Sequence, residues 1–145
     1  MMPRTVRRAQ HRNAKQMRLR IEYFDQNESF APFLPREGRV VAELSSTGGA
    51  TDWYLLKLDE PFEYQTTRGA LPGSPWRLVR VSHFLIRSRW QDHQVGGVAP
   101  TSVFILIVDE ESVPGTSTIS VEDYEHVAWG MCHVERDGSW HAAEP

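Results

Sequence analysis

Cysteine is almost missing from this chain of 145 residues: Cys132 stands alone. A disulfide framework within the chain and a cysteine-only zinc site are thereby excluded. Long apolar runs are missing too. None approaches the roughly 20 residues a membrane helix needs, and no apolar signal core follows the basic start, so the expectation is a soluble, cytoplasmic protein. The familiar catalytic and ligating spacings do not occur. There is no His-x-x-x-His or Cys-x-x-Cys, no Gly-x-Ser-x-Gly elbow, and no glycine-rich loop ending in Gly-Lys-Ser/Thr. No metal, cofactor or catalytic residue is therefore expected. An enzyme stands third among the function classes, because no acid, base and nucleophile converge in the sequence.

Acid is absent from the first 20 residues, which carry Arg4, Arg7, Arg8, Arg12, Lys15, Arg18 and Arg20. The formal net charge of −3 comes from 16 basic and 19 acidic residues. Removing those seven leaves nine bases against 19 acids, a charge of −10 on residues 21–145. Such a body repels nucleic acid and attracts basic partners over a salt-dependent range. Residues 1–16 have no apolar face to hold them to a core, so they are expected to be a disordered or weakly helical basic tail. Met17 directly precedes the first strand-like pattern, which also fits an extension from an upstream start. The tail could make weak, non-specific contact with nucleic acid. Residues 17–145 are expected to form one β-rich domain.

What the chain does have is short apolar strands. The run 102–109 (SVFILIVD) is the most hydrophobic, and its β-branched and aromatic content favours a strand. Val103, Ile105 and Ile107 point one way and Phe104, Leu106 and Val108 the other, so both faces should be buried and the strand central. Leu19, Ile21 and Tyr23 alternate with Arg20, Glu22 and Phe24 in a first strand. The segment 25–38 reads as a loop, broken by Pro32 and Pro35, with Phe30, Phe33 and Leu34 packing beneath it.

Further strands are predicted over 39–44, 53–58, 62–65, 76–90 and 127–134. The 76–90 run is too long for one unbroken strand, and Ser82-His83 is the expected bend or bulge. Ser120 could cap a single helical turn, and Arg136-Asp137-Gly138 turns the chain before Trp140. Six or seven strands with at most one short helix predict a small antiparallel β-barrel or sandwich.

The strongest candidate site runs from a strand into a Gly96-Gly97 loop: Arg87, Arg89, Trp90, Asp92 and His93. Arg87 and Arg89, two residues apart, share a strand face, and paired guanidinium groups grip carboxylate or phosphate bidentately. The alternative is that both arginines pair across strands with glutamates on a solvated face. Cys132 in an apolar strand reads as core, and its neighbour His133 points to the opposite face. The acidic clusters Asp59-Glu60, Asp109-Glu110-Glu111 and Glu122-Asp123-Glu125 fall at turns and strand ends, where acids are solvated. Five tryptophans exceed what a small core absorbs, so some should be at a binding surface.

Two readings follow. The first is a non-enzymatic binding module, an acidic β domain recognising a protein partner, with a basic one favoured by charge. An immunity-like or antitoxin-like inhibitor masking a basic toxin has that physical character. The second is a small β-barrel binding RNA or a nucleotide-like anion through Arg87, Arg89 and Trp90, with the acidic body counting against it.

Overall fold

The computed structural model describes residues 17–47, 53–88 and 102–142. Eight strands are formed: β1 (Arg18–Asp25), β2 (Arg36–Ser46), β3 (Trp53–Thr66), β4 (Arg77–Ser88), β5 (Ser102–Asp109), β6 (Thr118–Ile119), β7 (Glu125–Arg136) and β8 (Ser139–Ala142). Six of them run antiparallel in the order β1-β2-β3-β4-β5-β7, and β7 pairs back onto β1. The sheet is a closed barrel, which decides between the two predicted architectures. Closure removes the exposed edges that an open sheet of this size would carry. Gly130 permits it. A β-carbon there would stand 2.6 Å from Ile21 Cγ2 and 2.8 Å from Ile105 Cδ1, so β1 and β5 close on β7 across a bare backbone.

The interior follows the period-two pattern. Leu19 and Ile21 of β1, Val40 of β2, Tyr54, Leu56 and Leu58 of β3, Phe84 and Ile86 of β4, and Val103, Ile105 and Ile107 of β5 all point into one core. A second core lies outside the wall. Leu44, Trp53, Leu55, Leu85, Leu106 and Val108 pack beneath Ile119, Val121 and Tyr124 of the connection between β5 and β7. That connection crosses the outer face as a strap, and β6 fastens it by parallel pairing to Ser45 and Ser46. Hydrogen bonds from Ser45 N to the Ser117 carbonyl (2.8 Å) and from Thr47 N to the Ile119 carbonyl (2.9 Å) complete the attachment. Strand β5 is thus buried on both faces, as its sequence requires.

Several boundaries differ from the sequence expectation. The two segments 53–58 and 62–65 are one strand, because Asp59-Glu60-Pro61 bends the chain instead of reversing it. The register with β4 shifts between Lys57 and Phe62. Arginines of β1 and β2 hold the bend: Arg18 donates to both Asp59 carboxylate oxygens at 3.1 and 2.6 Å, and Arg36 Nη1 donates to the Glu60 carbonyl at 2.9 Å. The bulge expected at Ser82-His83 is present, where the β4–β5 register shifts between Val81 and His83.

The connection between β1 and β2 contains a 3-10 turn over Glu28–Phe33, and Phe30 is fully buried. The turn expected after Ser120 is a single 3-10 turn over Val121–Asp123. Asp137 (φ 53°) and Gly138 (φ 77°) form the tight hairpin turn that folds Trp140 back, half-buried, opposite Glu135. No helix among the described residues is long and apolar enough to cross a membrane.

Candidate functional site

Register puts the 26–35 and 67–76 connections, and the two ends of the 110–124 strap, at one end of the barrel. There the β3–β4 hairpin extends past its neighbours. The last pairing of β4 with β5 joins Val81 to Asp109, while β4 itself begins at Arg77. Strand β5 stops because Asp109 turns the chain: its carboxylate accepts the Glu111 N–H at 2.9 Å, and its carbonyl accepts the Ser112 N–H at 3.0 Å. Just beyond that pairing Glu110 N donates to the Arg80 carbonyl at 3.0 Å. Residues 77–79 therefore form a strand edge beyond the reach of β5.

A cleft lies on each side of this edge. The inner one, about 190 Å³, is lined by Val79, Ile107, Tyr124, Arg68, Arg77, Asp109, Asp123 and Glu125, among others. Its polar groups are tied down. Glu125 accepts hydrogen bonds from the Thr66 hydroxyl and from Tyr64 OH, the latter at 3.4 Å. The Arg68 guanidinium donates to the Glu122 carbonyl, and Arg77 Nε donates to the Arg68 carbonyl at 2.9 Å. Burial, reinforced by Glu125, pushes the Tyr64 phenol above its ordinary value. The outer cleft, about 330 Å³, is lined by Glu63, Arg77, Leu78, Val79, Arg80, Asp109, Glu110 and Glu111. Arg80 pairs with Glu110 at 3.4 Å, so carboxylates outnumber the remaining cationic groups.

Exposed apolar side chains collect on the same hairpin. Leu71 is 76% exposed, Trp76 44% and Leu78 51%. They are half of the six large hydrophobic residues exposed among the described residues. Such a concentration on one element marks an interaction surface better than scattered single residues do.

The site predicted from sequence is only partly visible. Arg87 lies on the outer wall, half-buried and directly across from Phe104. Phe104 meets Trp129 edge-on, with ring centroids 6.0 Å apart. Arg89, Trp90, Asp92 and His93 lie outside the described residues. Cys132 is enclosed in the barrel, and burial pushes its thiol up to about 12, so it is no nucleophile at neutral pH. His133 faces outward, 3.7 Å from Glu22. Among the described residues no three His, Cys, Asp or Glu side chains converge to hold a metal. Sequence reasoning missed Leu71, Trp76 and Leu78. The signal was there in Trp76 and Leu78, two large apolar residues flanking Arg77 next to a proline-rich loop.

His83 gives this wall a pH response. Its ring lies 2.7 Å from Ser82 Oγ, and burial, with Lys57 across the strand pair, holds it below the ordinary histidine value. Protonation therefore favours the unfolded chain. The stabilisation from neutral His83 is complete above the ordinary value of about 6.5. It is lost as pH falls toward the depressed native value. Urea midpoints measured from pH 8 to pH 5.5 should decline over that range. The His83→Gln variant should show a shallower decline; equal slopes in the two proteins would count against it.

Compared with known protein families, with curated proteins and with solved structures, the chain matches none.

Proposed function

We propose that this chain is a recognition module that binds a basic protein partner through the hairpin end of its barrel. The observation carrying the reading is that Leu71, Trp76 and Leu78 are exposed on one hairpin, at whose base six carboxylates line the two clefts: Glu63, Asp109, Glu110, Glu111, Asp123 and Glu125. An apolar centre with a charged rim is the usual anatomy of a protein interface, and tryptophan is a favoured anchor. The acids steer a cationic partner while the apolar side chains hold it. An inhibitor masking a basic protein is one relation of this physical type.

The competing reading, RNA or a nucleotide-like anion, draws support from the row Arg87–Phe104–Trp129, in which an arginine stands in register with one aromatic residue that meets a second edge-on. Titration of the isotope-labelled chain with decalysine, and separately with a twelve-nucleotide single-stranded RNA, discriminates the two. Decalysine should shift amide resonances of residues 62–81 and 109–125, with affinity falling steeply as salt rises. Tighter binding of the RNA, with shifts around Arg87 and Phe104, would overturn the proposal.

A further inference from the structure

Resting on that recognition reading, the geometry points to how the partner is held: we propose that an extended segment alternating basic and small apolar residues adds as a strand to the open edge of β4. In an antiparallel sheet the backbone polar groups of alternate residues turn to the same side. The Arg80 carbonyl faces away from β3, toward the Glu110 N–H. By the same period, the N–H and C=O of Leu78 also turn from β3, and Leu78 lies beyond the last residue of β5. No strand of the described residues stands opposite it. A strand end with no strand opposite it is a ready template for an incoming strand, with main-chain bonds giving affinity and alternate side-chain sites giving specificity.

The occupant would extend the line that β5 abandons at Asp109, and its side chains would alternate between the two clefts. The clefts differ in chemistry. The inner one presents Val79, Ile107 and Tyr124, with its carboxylates and arginines largely engaged. It suits a small apolar side chain. The outer one presents Glu63, Glu110 and Glu111, with Arg80 already paired to Glu110. It suits lysine or arginine, and the exposed side chain of Leu78 can cover the aliphatic stem of such a residue. This division fixes the parity of the added strand: apolar residues inward, basic residues outward.

The probe is a nine-residue peptide alternating lysine and valine, with binding to the full chain followed by fluorescence anisotropy. Two further peptides carry backbone N-methyl groups on alternate residues, one on the lysines and one on the valines. Charge and side-chain sequence stay equal. Edge addition predicts that one methylation register weakens binding tenfold or more while the other changes it less than twofold. It also predicts that Leu78→Asp and the double variant Glu110→Lys with Glu111→Lys each weaken the unmethylated peptide. All three substitutions are at exposed positions, and circular dichroism would verify that the variants stay folded. Equal response to both registers, with the charge-reversal effect retained, would overturn edge addition and leave the acidic recognition surface standing. Failure of the unmethylated peptide and of decalysine alike would overturn both.

Discussion

Phe30→Ala is expected to cost about 3–5 kcal/mol, the range for truncating a buried aromatic side chain. For a domain of this size that corresponds to a loss of roughly ten degrees or more in Tm. Phe30 lies in a connection, yet it has no exposed surface. It plugs one end of the barrel, with ring centroids 5.3 Å from Phe33, 6.0 Å from Phe62, 5.6 Å from Tyr64 and 6.2 Å from Phe84. These separations are in the range where tilted and edge-on pairs add to plain burial. The segment is pinned so that the plug cannot follow the cavity inward: Asn27 Nδ2 donates to the Val127 carbonyl at 2.9 Å. Phe33→Ala should cost less, because Phe33 is half-exposed, although it stacks on Phe62 at 4.9 Å. Urea melts of both variants check the ranking. A Phe30→Ala loss under 1 kcal/mol would mean that the end of the barrel is open and the plug dispensable.

Ile105→Ala and Leu106→Ala are each expected to cost about 2–5 kcal/mol. Adjacent residues of a strand rarely behave alike, since one normally faces solvent. Here Ile105 points into the barrel and Leu106 into the second core beneath the strap. Ile105 is fully buried and Leu106 is 3% exposed. The two losses have different partners, which a third variant separates. Ile119→Ala, a truncation on the strap, should reduce the additional cost of Leu106→Ala, because the two share one cluster. It should add independently to Ile105→Ala, across the wall. Equilibrium unfolding of the single and double variants measures both couplings. A Leu106→Ala cost under 1 kcal/mol would show that the strap does not seal the outer face.

The double burial of β5 was legible because it is a local property. A run of eight residues with apolar side chains at both parities can be stable only with cover on both sides. Trp53 and Leu55 lie on one face of β3 and Tyr54, Leu56 and Leu58 on the other, by the same alternation, and the break at Ser82-His83 was legible within an overlong strand. The candidate site was less legible. Arg87 reaches a defined position on the outer wall. The surface that emerges, however, needs the hairpin tip, the end of β5 and the start of β7 side by side. Those segments are separated by tens of residues.

The sequence by itself determined that this chain is mainly β, which faces of its strands are apolar, and that one strand must be covered twice. Only the tertiary structure decided that the sheet closes, that Phe30 serves as its plug, that the 110–124 connection covers the outer face, and that β4 outruns β5. The difference is one of range. Side-chain alternation is dictated by backbone geometry over two residues and can be read at any position in isolation. Pairing partners, strand length relative to a neighbour and the path of a connection depend on contacts between distant residues, such as Gly130 against Ile21 and Ile105. Ser45 against Ser117 is another such contact, and these form only when the whole barrel does.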